Sequence, residues 1–229
     1  MSASSPRLVL VDFVAKLPDG SIIDTTQEGN ENSDLPDIQQ RPRLVSLGYP
    51  SFVVTEGFEE ALKGAELDMP QTIQVEPKNA YGVWDRKMVR MITARKLNDS
   101  EKYGVGDEVE ISGRKGIIKF MGSGRVQVDY NHKYAGKTIQ YDFTVTDLLD
   151  TDDAKVVAIL RETLTDDEFG SDDDLDYILQ DNSLNVTIPE NMAKSESLHS
   201  RIHQLQMNIF RFAPDIKDIQ FVIKYKNKH

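Results

Sequence analysis

EGFEEALKGAELDMPQTIQVEPKNAYGVWD, residues 56–85, is the stretch that decides the fold. Phe58, Ala61 and Leu62 stand at helical spacing, and Gly57 and Gly64 bracket them, so the pattern predicts a short amphipathic helix over residues 58–64. The next pattern has period two. QTIQV, residues 71–75, alternates polar and apolar side chains as a half-buried strand does. A loop then runs to Ala80-Tyr81-Gly82. By composition alone the stretch is a helix, a strand and a loop.

Upstream, RLVLVDFVAKL (residues 7–17) reads as a largely apolar strand. Pro18-Asp19-Gly20 is a turn in which proline presets φ and glycine takes the left-handed position. Residues 21–24 resume a strand and complete a hairpin. Residues 26–41 are rich in Gly, Asn, Asp, Glu, Gln and Pro and read as a loop. Residues 43–47 form a short strand that ends at Gly48.

Downstream, residues 88–97, 107–112, 116–121 and 125–130 read as four short strands. Gly113 and Gly122-Ser123-Gly124 separate them as turns, giving a small all-β module closed by a short helical turn over residues 131–136. TIQYDFTV, residues 138–145, is a long alternating strand. Thr151 then caps a helix with Asp152 and Asp153 in its first turn and Val156, Ile159, Leu160 and Leu164 on its apolar face. Residues 175–180 and 184–188 flank Asp181-Asn182-Ser183 as a hairpin. Leu198, Ile202, Leu205, Ile209 and Phe212 repeat at 3.6 spacing, which predicts one long helix over residues 192–212, stopped by Pro214. Residues 219–225 are the final strand. This α-β-β-α-β tail is long enough to be an α+β domain of its own.

A chain of 229 residues suits two or three domains. Its net charge of −11 argues against a duplex DNA binder, which needs surplus Lys and Arg to replace counterions. With no cysteine, disulfides, thiolate catalysis and zinc-thiolate sites are excluded. No apolar run approaches the roughly 20 residues that cross a bilayer. Residues 2–7 are polar and residues 8–11 too brief for the core of a signal peptide. The expectation is a cytoplasmic protein with neither a nucleic-acid nor a membrane partner.

In this order the motifs resemble those of the FKBP-type peptidyl-prolyl cis-trans isomerases. LVLVDFVAKLPDGSIIDTT (residues 8–26) resembles the family's opening hairpin, and VTEGFEEAL (54–62) its pocket-floor helix. NAYG (79–82) resembles the base of its flap, and QYDFTV (140–145) its last strand. VQVDYNHKYAGKTIQYDF (126–143) is similar to the segment that closes the insert-in-flap domain of SlyD-type members, which share an N-H-x-x-A-G signature. The residues after Asp150 resemble the extra C-terminal domain of long archaeal members. The resemblance implies an α+β fold, with a twisted antiparallel sheet around a short helix. It divides the chain into an isomerase domain of residues 1–87 plus 137–150, an inserted small all-β domain of residues 88–136, and a C-terminal α+β domain of residues 151–229.

The resemblance also implies an activity, the cis-trans isomerisation of X-Pro bonds, and a site. Asp24 and Tyr81 would be the catalytic pair, and Phe13, Ile23, Val54, Thr55, Phe58 and Tyr141 would line a proline pocket. Three positions depart from the family pattern. Phe13 stands where Tyr is usual, Phe58 where many eukaryotic members have Trp, and Thr55 where Ile or Val is common; these bear on macrolide inhibitor binding more than on activity. The inserted strands carry Met88, Met91, Ile92, Ile117, Phe120 and Met121, an adaptable apolar set suited to capturing unfolded or nascent polypeptides. The chemistry needs no cofactor and no metal. A homodimer through an edge strand near residues 221–225 is compatible with the tail.

Blander readings stand beside these. Without the family, Asp24 is a turn acid and Tyr81 a packing residue. Part of the apolar set on the inserted strands is that module's own core. His132 reads as structural, His199 and His203 as solvated surface despite their i, i+4 spacing, and the acidic run of residues 166–174 as a solvated loop without the calcium-loop pattern. The alternative to an isomerase is a non-enzymatic holdase or peptide-binding protein on the same fold.

Overall fold

A computed structural model describes residues 7–27, 41–97, 102–165, 175–190 and 192–224. The first sheet is built around one long strand, β1 (Arg7–Lys16). Along one edge β1 pairs antiparallel with β9 (Ile139–Leu148), which in turn pairs with β4 (Gln71–Val75). Its other edge is shared by two short strands. β3 (Arg43–Leu47) covers Arg7 to Val11, and β2 (Ile22–Thr25) covers Val14 to Lys16. The gap between them falls at Phe13. Thr26 closes it: its hydroxyl accepts from the Phe13 amide at 2.9 Å, and its own amide donates to the Phe13 carbonyl at 3.0 Å. Gly20, at φ +87°, makes the β1–β2 turn where the sequence places it.

Alternation along these strands splits the sheet into two buried faces. Val9, Val11, Phe13 and Ala15 of β1, Val45 and Leu47 of β3, and Tyr141, Phe143 and Val145 of β9 face α1 (Glu56–Lys63), whose Phe58 and Leu62 are buried against them. Leu8, Leu10 and Leu44 face the other way and belong to the core of the C-terminal helices. The tail therefore does not pack only on itself; it covers the back of the first sheet.

In chain order between β4 and β9 comes a second, four-stranded antiparallel sheet in the order β5-β8-β7-β6, made of β5 (Val89–Thr93), β6 (Glu108–Ile111), β7 (Arg114–Gly122) and β8 (Arg125–Asp129). Its core is Leu97, Val109, Ile111, Ile118, Val126 and Val128. Residues 88–97 are not one strand. β5 stops at Thr93 and a turn of 3-10 helix, Ala94–Lys96, follows. Residues 131–136 close the module as the expected short turn, with the Ala135 amide donating to the His132 carbonyl at 2.8 Å.

After β9, α2 (Asp152–Leu164) starts at Thr151, whose hydroxyl accepts from the Ala154 amide at 3.2 Å, the expected cap. β10 (Asp176–Gln180) and β11 (Ser183–Pro189) form a hairpin through Asp181 and Asn182, both at positive φ as a two-residue turn demands. The helix expected over residues 192–212 is broken. Met192–Lys194 is 3-10, and α3 (Leu198–Phe212) begins later, because the Ser195 hydroxyl takes the Ser197 amide at 3.1 Å and competes with the helical ladder. β12 (Asp218–Lys224) returns parallel to β11, and α3 is the crossover that parallel pairing requires.

Candidate functional site

Four aromatic rings meet at the centre of the first sheet. Strand register puts Phe13 opposite Phe143 and Ala15 opposite Tyr141, so the side chains of β1 and β9 rise together on the face that α1 crosses. Phe58 enters from α1 and stacks on Tyr141, with centroids 4.1 Å apart and planes 14° from parallel. Phe13 meets Phe58 edge-on at 5.4 Å and Phe143 meets it at 5.1 Å. Edge-to-face and offset stacking are the favoured arrangements of such rings. α1 can come this close because residue 57 is glycine: a Cβ there would lie 2.5 Å from Val75 Cγ1.

Around this floor stand the polar groups. Ile23 is buried in the same cluster, and Val54 and Ala80 pack against its edge. The Thr55 and Tyr141 hydroxyls lie 3.1 Å apart. Asp24, half-buried, accepts from both arms of Arg43, at 2.6 and 2.9 Å. The same guanidinium lies 4.8 Å above the Phe13 ring. Tyr81 is half-buried. Burial raises its hydroxyl above the ordinary tyrosine value, and the negative charge of Asp24 adds to the shift. Burial pushes the Tyr141 hydroxyl up as well. Both tyrosines are thus neutral hydrogen-bond donors at neutral pH. The structure brings together all eight residues expected to form the pocket and its catalytic pair.

Two neighbours were not expected. Arg43 holds Asp24 although nothing local marks it; the pairing appears only when β2 and β3 share one edge of β1. His132, read as structural, stacks face to face on Tyr81 at 4.3 Å and 3°, and Tyr134 closes the group at 5.4 Å from Tyr81. His132 Nδ1 accepts from the Tyr134 amide at 3.2 Å. The chain enters and leaves the second sheet beside this cluster. The Gly136 amide donates to the Gly82 carbonyl at 2.8 Å, and the Asp85 amide and carbonyl pair with the Asn131 side chain at 2.9 Å each.

On the second sheet the apolar set divides. Met91 and Phe120 are half exposed, at 51% and 50%, and lie in register on either side of Gln127, so they project from one face. Ile92 and Met121 pack on the sheet's own core, and Met88 and Ile117 are intermediate. On α3, His199 and His203 are exposed. The acidic run of residues 166–174 lies outside the described residues. Among the described residues no helix is long and apolar enough to cross a membrane.

No family model matches the chain. Individual relatives do. The chain is 30% identical over 152 residues to the FKBP-type 16 kDa peptidyl-prolyl cis-trans isomerase of Escherichia coli, covering 64% of this chain and 94% of that protein. It is 29% identical over 144 residues to the short-type peptidyl-prolyl cis-trans isomerase of Methanocaldococcus jannaschii, covering 61% of this chain and 90% of that one. The FKBP-type peptidyl-prolyl cis-trans isomerase SlyD of Helicobacter pylori is 26% identical over 133 residues, covering 56% of this chain and 71% of the relative.

Proposed function

Because the chain belongs to the FKBP-type peptidyl-prolyl cis-trans isomerases, an enzyme class, we propose that it catalyses isomerisation over the Phe13–Phe58–Tyr141 floor and feeds that site from its second sheet. X-Pro bonds exchange over tens to hundreds of seconds, slowly enough to limit folding. The barrier is amide resonance, about 18–20 kcal/mol for a typical peptide bond. A twisted amide has less charge separation than a planar one, so an apolar floor favours it relative to water. No covalent step is needed. Tyr81 donates to the substrate carbonyl, and Asp24 orients the local dipoles or accepts from the substrate. Val54, Thr55 and Ile23 complete the wall.

The observation that carries this reading is the stacked floor with a neutral tyrosine donor and an ion-paired carboxylate at its rim. Residues 88–136 act as a capture module for unfolded polypeptide, with Met91 and Phe120 as its exposed contacts. Tethering capture to catalysis raises the effective concentration of prolines at the pocket. Two chains pair along the edge strand β12, where Val222 and Ile223 are exposed. A monomeric mass in light scattering across micromolar concentrations rules that pairing out. The pocket is also offered to macrolide inhibitors, which calorimetry tests directly.

The test of the central proposal is the isomerisation of a short X-Pro peptide by the full chain, alongside proline-limited refolding of an unfolded protein. Acceleration of both, lost on Asp24→Ala with Tyr81→Phe, is the expected result. Refolding assistance that survives the double substitution would leave a holdase without turnover.

A further inference from the structure

Tyr81 stands on a turn, not on a strand or a helix. Its own segment fixes only the backbone. The Ala80 and Gly82 amides both donate to the Pro77 carbonyl, at 3.2 and 2.7 Å, and the phenol ring is left to be placed by what it touches. What it touches comes from far along the chain. The His132 ring lies flat on it at 4.3 Å and 3°, and Tyr134 stands at 5.4 Å from Tyr81 and 5.6 Å from His132.

His132 is in turn held on both sides. Before it, Asp129 accepts from the Trp84 indole N–H and from the Asn131 amide, each at 2.9 Å, and the Asn131 side chain pairs with the Asp85 amide and carbonyl. After it, the Gly136 amide donates to the Gly82 carbonyl at 2.8 Å. The limb that leaves the first sheet, residues 81–85, and the limb that returns from the second, residues 129–136, are therefore bonded to each other above and below the stack. Within the turn, His132 Nδ1 accepts from the Tyr134 amide at 3.2 Å. The charged and titratable groups around the imidazole are Lys133 beside it, whose ammonium lies 4.8 Å from the Tyr134 ring centre, the Tyr81 and Tyr134 hydroxyls, and Glu108 of β6 and Lys115 of β7, which share with it a cavity of about 560 Å³.

We infer that His132 is a positioning residue for Tyr81: its ring, carried on the limb that returns from the inserted sheet, holds the Tyr81 hydroxyl at the angle from which it meets the substrate carbonyl. The inference rests on the donor role proposed for Tyr81. A stacked ring favours one side-chain well over its neighbours, and without it Tyr81 spends a smaller share of its time aimed at the carbonyl. The arrangement also depends on pH. Protonation of Nδ1 turns the acceptor of the Tyr134 amide into a second donor, so the acid form gives up that bond and the ring loses its anchor. Partial burial and the charge of Lys133 hold this step below the ordinary histidine value, which keeps the stack intact at neutral pH.

The experiment measures kcat/KM for a short X-Pro peptide against pH, with the full chain as wild type, His132→Ala, His132→Phe, Tyr81→Phe and the His132→Ala, Tyr81→Phe double variant. At neutral pH His132→Ala is expected to lower kcat/KM about threefold to tenfold, the range that one aromatic pair is worth. His132→Phe, which keeps a flat ring on Tyr81, is expected to restore most of that loss. In the Tyr81→Phe background His132→Ala is expected to do almost nothing, because no hydroxyl is left to position. Wild type is expected to lose activity as the pH falls below about 6.5, and His132→Phe to lose less. His132 is exposed, so these changes remove little from the core. If His132→Ala nevertheless does not fold, His132→Leu, which fills the space without a flat ring, makes the same comparison. An equal loss in both Tyr81 backgrounds, no loss in the first, no rescue by phenylalanine, or superimposable pH profiles for wild type and His132→Phe each overturn the inference. Full activity in Tyr81→Phe alone sinks the donor role of Tyr81 first, and is seen without reference to His132.

Discussion

Tyr81 lies flat on His132, with ring centroids 4.3 Å apart and planes 3° from parallel. The imidazole is held by the Tyr134 amide on Nδ1, so in its neutral form the remaining proton sits on Nε2. Burial lowers the His132 pKa below its ordinary 6.5, and Lys133 lowers it further. The sign follows by linkage. Between the lowered folded value and the unfolded one the unfolded chain binds more protons, so this contribution is present above about 6.5 and is lost as pH falls. His132→Phe keeps an aromatic ring against Tyr81 and removes the titration. The wild-type thermal midpoint is therefore expected to fall behind that of the variant as the pH falls through about 6.5. A gap between the two that stays constant with pH would refute the assignment.

The two tyrosines of the candidate site are expected to separate catalysis from stability. Tyr141 is a buried member of the floor with its hydroxyl paired to Thr55 at 3.1 Å, whereas Tyr81 is half-buried at the rim. Tyr81→Phe should cost about tenfold in kcat/KM on a short peptide and leave the denaturation midpoint within experimental error. Tyr141→Phe should cost about 1 kcal/mol of stability, since it removes one partner of a part-buried pair. If Tyr81→Phe turns over substrate at the wild-type rate, the donor to the amide is another group.

Gly57 sets how close α1 comes to β4. Alanine at this position improves helix propensity by about 1 kcal/mol. Its methyl would also lie 2.5 Å from Val75 Cγ1 and 3.2 Å from Asn79 Cβ. Val75 is buried and β-branched, so its rotamer cannot yield cheaply. Overpacking wins, and Gly57→Ala is expected to lower unfolding free energy in urea by about 1–2 kcal/mol. A stabilised variant would show that β4 moves away freely.

Local pattern carried most of the fold. β4 lies where period-two alternation puts it, and the Thr151 cap and the Asp181-Asn182 turn follow from side-chain chemistry alone. The break at Ser195–Ser197 stayed hidden, because apolar spacing continues through residues whose hydroxyls compete with the helix. The eight candidate site residues came from the order of motifs rather than from any single one. Arg43 was invisible for a different reason. It meets Asp24 only after two short strands share one edge of β1, and a lone Arg at a strand start has no local signature. His132 lay inside a quoted motif, yet only the stack on Tyr81 gives it a role in the site.

Met91 and Phe120 give the last prediction. They flank Gln127 on neighbouring strands and project from the same face of the second sheet, each about half exposed, while Ile118, Val126 and Val128 fill the core beneath. Removing exposed apolar side chains costs the fold little, so Met91→Ser with Phe120→Ser should leave the thermal midpoint within about 1 kcal/mol equivalent of wild type. Turnover of a short X-Pro peptide should be unchanged, because the aromatic floor lies in a separate core. Proline-limited refolding of an unfolded protein should slow towards what the pocket achieves without tethered capture, a loss of about tenfold or more. Equal losses on peptide and protein would mean that the substitutions disturb the pocket itself. No loss on either would mean that this face does not hold the substrate.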